Sequence, residues 1–127
     1  MNAESKMIEP LLKGLLNPNN EERRKNESQI IDLMKKNKIG LVLCLTQIIN
    51  SSEDSQAVLY AAVISRKLLI IPENQTTNPN WVSAPNEIKE EIKTNLMKAL
   101  VKFNDKFMKK KIIDIIWILY KSISKNE

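Results

Sequence analysis

The chain has 127 residues, of which 43% are hydrophobic and 28% are charged, and its net charge is +5. This length and composition predict one folded domain with a core of its own and exclude a disordered chain. The sequence has no histidine, one cysteine (Cys44) and two isolated glycines, Gly14 and Gly40. Glycine-rich phosphate loops, histidine-based catalysis, internal disulfides and cysteine-based zinc sites are therefore excluded. We predict no catalytic, metal-binding or cofactor-binding residues and do not expect an enzyme.

Apolar residues recur at intervals of three and four along almost the whole chain, which is the period of an α-helix. The first predicted helix contains Pro10 in its opening turn, where the missing N–H costs nothing. The third is apolar on nearly every side, which is typical of a helix between two layers. The six predicted helices cover about residues 7–16, 20–36, 38–49, 53–70, 86–103 and 106–124.

One long stretch, residues 72–85, breaks the helical pattern. It contains three prolines, several asparagines and threonines, and Trp81. This composition predicts a surface loop, because proline and asparagine favour turns over regular structure. We expect the tryptophan to anchor the loop to the body of the domain, since a large aromatic side chain gains stability by burial.

Similar turn sequences recur along the chain and suggest a repeated unit. Leu-Leu-Asn at 15–17, Ile-Ile-Asn at 48–50 and Lys-Phe-Asn at 102–104 each end one predicted helix and precede the next. A helical hairpin repeated about every 35–45 residues is typical of HEAT and armadillo arrays. The predicted fold is therefore all-α, an α-α superhelix of the ARM/HEAT type. Its hairpins are expected at residues 7–36, 38–70 and 86–124; a closed bundle of four to six helices is the alternative.

Short motifs follow one another in a set order along these hairpins. The first hairpin contains a leucine pair, an Asn-Pro-Asn turn, an arginine, a glutamate and a leucine: Leu15, Leu16, Asn17, Pro18, Asn19, Arg23, Glu27 and Leu33. Residues 57–69 read Ala-Val-Leu-Tyr-Ala-Ala-Val-Ile-Ser-Arg-Lys-Leu-Leu, and residues 108–111 read Met-Lys-Lys-Lys. Together these motifs resemble the N-terminal HEAT repeats of the importin-beta (karyopherin-beta) family, nearest to its importin-five type. The sequence departs from the family pattern at Val58, where arginine is common.

The resemblance implies that residues 1–127 are the N-terminal HEAT-repeat region of a much longer nuclear transport receptor. Such receptors move between cytoplasm and nucleus, carry protein cargo through nuclear pores and are released by Ran in its GTP form. The resemblance places cargo and nucleoporin binding mostly in later repeats, and Ran binding on the second helices of these hairpins. The candidate Ran-facing residues are Arg23, Arg66, Lys67, Lys109 and Lys110.

Positive charge is concentrated in one part of the sequence, which keeps a second function open. Eight lysines and two aspartates between residues 98 and 125 give that segment a net charge of +6. A basic helical-repeat module that binds nucleic acid or an anionic membrane surface is therefore the alternative. Such a module would show steep salt dependence of binding.

The last predicted helix carries apolar residues on two sides. One set faces the preceding helix, while Ile113, Trp117 and Tyr120 lie elsewhere on the surface of the helix. In a solenoid these three residues would pack under a further repeat, because each hairpin needs neighbours to cover its core. They form a candidate exposed stacking edge, and we expect weak self-association through it.

Overall fold

A computed structural model describes residues 2–124 and places most of them in helices. Within that range there are seven α-helices and no β-strand, so the predicted all-α helical-repeat fold is confirmed. A short 3-10 turn, Gly14–Leu16, follows the first helix. The helices are α1 (Ala3–Lys13), α2 (Asn20–Lys36), α3 (Lys38–Ser51), α4 (Ser55–Leu69), α5 (Pro79–Val82), α6 (Asn86–Lys102) and α7 (Lys106–Ser124).

The six long helices pair as α1 with α2, α3 with α4, and α6 with α7. Helix α3 is central, because it also packs against α1, α2 and α6, and eight of its fourteen residues are buried. The prediction that this helix lies between layers is thus confirmed. Helix α7 packs on α4 and α6, and within residues 2–124 it shares no extensive interface with α1. The alternative, a bundle closed by its first and last helices, is therefore not formed.

A continuous apolar core runs through the three hairpins. Leu12, Ile49, Leu69, Ile92 and Ile112 are completely buried, and each comes from a different helix. Burial of such side chains supplies most of the stabilisation of the fold, about 1.5–3 kcal/mol for each. Helix α2 contributes one fully buried residue, Ile30, while Leu33 and Met34 are partly buried against the core. The rest of the helix is mostly polar and exposed, so α2 forms the outer face of the first hairpin.

Short polar side chains fix where most of the helices begin. Their side-chain oxygens accept hydrogen bonds from backbone N–H groups of the first helical turn, which would otherwise have no partner. Asn37 is notable because its own N–H donates to Leu33 at the end of α2, while its side chain accepts from Gly40 at the start of α3. One residue thus makes the turn between two helices. The capping residues are Asn2, Asn19, Asn37, Asp54 and Asn78.

The predicted start of the first helix is wrong. The side chain of Asn2 accepts a hydrogen bond from the N–H of Ser5, so α1 begins at Ala3 rather than near residue 7. Pro10 consequently lies well inside the helix instead of in its opening turn. An interior proline removes one helical hydrogen bond, and the tertiary packing of Ile8 and Leu12 on either side holds this turn in place.

The proline-containing stretch between α4 and α6 holds more structure than predicted, since it includes the short helix α5. Trp81 in this helix is only 2% exposed, so the prediction that it anchors the stretch is confirmed. Asn74 has a φ of 66°, a left-handed conformation that asparagine tolerates better than most residues.

Candidate interaction surface on the second helices

A groove of about 440 Å3 lies between α4 and α7, the second helices of the second and third hairpins. Small and apolar residues form part of its lining, while cationic side chains and one carboxylate form the remainder. Its lining residues are Ala62, Val63, Arg66, Lys67 and Ile70 of α4, and Lys111 and Asp114 of α7. We call this surface the α4–α7 groove.

The groove follows from the pattern of small residues on α4. Ala61 and Ala62 are buried, and because alanine has no side chain beyond Cβ, α7 can pack closely on this part of α4. The buried face of α4 continues through Ser65 and Leu68. Arg66 and Lys67 therefore point away from the core, on the part of the helix left in solvent.

The α4–α7 groove carries uncompensated positive charge. Arg66, Lys67 and Lys111 face a single acid, Asp114, and none of the three cations forms an ion pair within residues 2–124. The ammonium of Lys111 instead lies 4.9 Å from the centre of the Phe107 ring. Arginine and lysine in this setting can donate to carboxylates or carbonyl oxygens of a partner.

Half-exposed apolar side chains accompany these charges. Val63 is 44% exposed and Ile70 is 45% exposed, both on α4 beside the cations. A surface that combines donors with accessible aliphatic area suits a protein partner, because such interfaces join an apolar centre to a polar rim.

The predicted Ran-facing residues do not all meet in this groove. Arg66 and Lys67 line it, whereas Lys109 is half-buried and Lys110 is exposed outside its lining. Arg23 lies on α2 and is engaged within its own helix: it donates to the Asn20 side chain at 2.7 Å and lies 3.9 Å from the Glu27 carboxylate.

Sequence reasoning missed Lys111 and Asp114. Both precede core positions of α7, since Ile112 and Ile115 are completely buried. A side chain one position before a core residue lies at the flank of the buried stripe, which here faces α4. That periodicity was available in the sequence, but the identity of the neighbouring helix was not.

The candidate stacking edge is exposed in the structure. Ile113, Trp117 and Tyr120 are 50%, 54% and 59% exposed. The two aromatic rings stack with their centres 5.6 Å apart. On the neighbouring α6, Met97 and Val101 are also exposed, so both helices of the third hairpin carry exposed apolar side chains.

Cys44 is buried, and burial raises the pKa of its thiol, which keeps it protonated. The thiol lies 3.7 Å from a carboxylate oxygen of Glu4. No group of three or more histidine, cysteine, aspartate or glutamate side chains within residues 2–124 could hold a metal ion. None of the helices described is both long and apolar enough to cross a lipid bilayer.

Three stacked helical hairpins define the class of this chain, an α-helical repeat protein. Residues 27–102, more than half of the chain, match the family model described as the importin-beta N-terminal domain. The chain therefore belongs to the importin-beta family and contains the N-terminal region of an importin-beta-like transport receptor. This match does not distinguish the importin-five type within the family. No curated protein matches the chain.

Proposed function

We propose that this chain binds Ran in its GTP-bound form through the α4–α7 groove, as the N-terminal part of a nuclear transport receptor. The observation that carries the proposal is that Arg66, Lys67 and Lys111 line the groove along the second helices, and that none of them forms an ion pair within residues 2–124. In this account protein cargo and nucleoporins bind through later repeats. The receptor itself moves between cytoplasm and nucleus, and it is of the importin-five type.

The groove is suited to a folded protein partner because its walls are rigid. Both helices are anchored by buried residues, Ala62 and Leu69 on α4 and Ile112 on α7, so the cations extend from fixed backbones. A partner can therefore bind without ordering a loop, which lowers the entropic cost of association. Carboxylates on the partner would pair with Arg66 and Lys67, while its apolar side chains would contact Val63.

Charge reversal in the groove tests this proposal. The double variant Arg66→Glu, Lys67→Glu should weaken binding of GTP-loaded Ran about tenfold or more, which corresponds to about 1.4 kcal/mol. The matched control is Lys6→Glu, Lys98→Glu, which changes the net charge equally at exposed positions on the first helices α1 and α6. The control should retain binding. An equal loss in both variants, or no loss in the groove variant, would contradict the role of the groove.

The alternative function, binding to nucleic acid or an anionic membrane, is favoured by the exposed Trp117–Tyr120 stack beside lysines. The ammonium of Lys121 lies 5.5 Å from the centre of the Trp117 ring. Stacked aromatics and lysines can hold single-stranded nucleic acid. If this function is correct, binding of a labelled oligonucleotide should fall steeply with salt and should depend on Trp117.

A further inference from the structure

A second cavity, of about 560 Å3, lies at one end of the second hairpin and shares no lining residue with the α4–α7 groove. The turn between α2 and α3 forms one wall, and α5 with the beginning of α6 forms the other. The lining residues are Lys35, Lys36, Asn37, Lys38, Ile39, Gly40, Asn80, Ser83, Ala84, Pro85 and Ile88. We call it the basic cavity.

Among the described residues, the lining of the basic cavity contains three lysines and no acidic residue. Lys35, Lys36 and Lys38 are all exposed, and within residues 2–124 none of them forms an ion pair. The positive charges of Lys35 and Lys36 are favourable where they lie, because the C-terminal end of α2 is the negative end of the helix dipole. Lys38, by contrast, is the first residue of α3, where a positive charge is unfavourable. The helix dipole of α3 therefore does not favour the positive charge of Lys38, and the three lysines place like charges around one cavity.

Apolar groups form another part of the cavity. Ile39 is buried, and Ile88 and Ala84 are half-buried beside the lysines. The wall that contains Ala84 is held firmly, because Trp81 is buried and the Lys89 ammonium donates to the Val82 carbonyl at 3.0 Å. The cavity thus offers a preformed apolar surface next to a cationic rim.

We propose that the basic cavity binds an acidic peptide segment of a partner protein. Carboxylates of the segment would pair with Lys35, Lys36 and Lys38, and one aliphatic side chain would pack against Ile88 and Ala84. A peptide fits this chemistry better than a nucleic acid does, because nucleic acids have no aliphatic side chain to place against Ile88 and Ala84. Nor does the cavity lining, within residues 2–124, include an aromatic ring on which a base could stack. The site goes beyond the proposed binding of Ran and does not depend on it.

The test uses a short fluorescein-labelled peptide of glutamates around one leucine, titrated with the whole chain and followed by fluorescence anisotropy. The cavity variant combines Lys35→Glu, Lys36→Glu and Lys38→Glu. The control combines Lys6→Glu, Lys25→Glu and Lys98→Glu, three exposed lysines outside the cavity that give the same change of charge. We expect the cavity variant to weaken binding about tenfold or more and the control to weaken it far less.

Two further measurements separate the cavity from general charge attraction. Replacing the leucine of the peptide by serine should weaken binding, because the apolar contact is lost. In NMR titrations the backbone amide signals of Gly40, Asn80 and Ser83 should shift on peptide addition. Three results would overturn the proposal. The two triple variants could weaken binding equally, the peptide could show no measurable binding, or an oligonucleotide could bind the cavity more tightly than the peptide does. Circular dichroism of each variant verifies that it is folded.

Discussion

The side chain of Asn78 donates a hydrogen bond to the backbone carbonyl of Ile70 across 2.8 Å, and so ties the beginning of α5 to the end of α4. The same amide nitrogen donates to the carbonyl of Leu68 at 3.0 Å. Its oxygen accepts from the N–H groups of Asn80 and Trp81. One buried side chain thus ends one helix, begins another and fixes a wall of the basic cavity.

Replacing this residue should therefore destabilise the domain. Asn78→Asp keeps an oxygen that caps α5 but cannot donate to the Leu68 and Ile70 carbonyls. It also places a carboxylate near them. We expect the free energy of unfolding to fall by about 1–3 kcal/mol, the usual cost of leaving buried polar groups without partners. Urea denaturation measures the change. The control Glu73→Ala, at an exposed position, should have almost no effect. Equal stability of Asn78→Asp and the unmodified chain would contradict the proposed role of the Asn78 side chain.

The buried thiol of Cys44 leads to a prediction about pH. Burial raises its pKa, a hydrogen bond with Ser5 opposes this in part, and the Glu4 carboxylate raises the pKa further. The unfolded thiol therefore ionises at lower pH than the folded one. The difference in pKa stabilises the folded chain fully at any pH below the pKa of the unfolded thiol. This stabilisation is lost as the pH rises from the pKa of the unfolded thiol through that of the folded thiol.

Alkylation kinetics and denaturation test this prediction. Iodoacetamide should modify Cys44 in the folded chain far more slowly than in urea at a pH near 8.5, the ordinary thiol pKa. Cys44→Ala should also flatten the decline of unfolding free energy at alkaline pH. Burial is the largest cause of the raised thiol pKa, so Glu4→Gln should leave the alkylation of Cys44 in the folded chain slow. Rapid modification of the folded chain would show that the thiol is accessible.

The exposed edge of the third hairpin predicts weak self-association. Ile113, Trp117 and Tyr120 are each at least half exposed, and clustered apolar surface of this kind favours association. The sedimentation coefficient should rise with protein concentration, and Trp117→Lys should abolish the rise. Met7→Lys, at an exposed methionine on α1, is the control. A coefficient independent of concentration would contradict the prediction.

The lining of the α4–α7 groove predicts different effects on Ran binding for two neighbouring lysines, Lys110 and Lys111. Lys111→Glu should weaken the binding of GTP-loaded Ran, since Lys111 lines the groove. Lys110→Glu, next to it in sequence but outside the lining, should weaken binding much less. Surface plasmon resonance on both variants measures the difference. The reverse order would favour the assignment made from sequence, in which Lys110 faces Ran.

Helical periodicity and the recurring turns allowed much of the fold to be predicted. The nearly uniform apolar character of α3 correctly indicated a helix between layers, and the recurring asparagine turns indicated repeated hairpins. The start of α1 was mispredicted because the apolar pattern begins later than the cap, which Asn2 provides through one hydrogen bond. Helix α5 was not predicted, because it is too short to show a helical period and lies among prolines.

The candidate site could be predicted only in part. Arg66 and Lys67 are among the predicted Ran-facing residues, because the resemblance places Ran binding on the second helices, and both line the α4–α7 groove. Lys111 was missed, since its position in the groove depends on how α7 crosses α4, a tertiary relationship that one sequence does not contain. The basic cavity joins residues 35–40 to residues 80–88, and neither segment indicates the other.

The most direct test of the proposed function is whether binding of Ran depends on its nucleotide. The chain is titrated with Ran loaded either with a non-hydrolysable GTP analogue or with GDP, and the dissociation constants are measured by isothermal titration calorimetry. We expect the GTP form to bind, the double variant Arg66→Glu, Lys67→Glu to lose that binding, and the GDP form to bind much more weakly. Equal affinity for the two forms, or no binding of the GTP form, would contradict the proposed function.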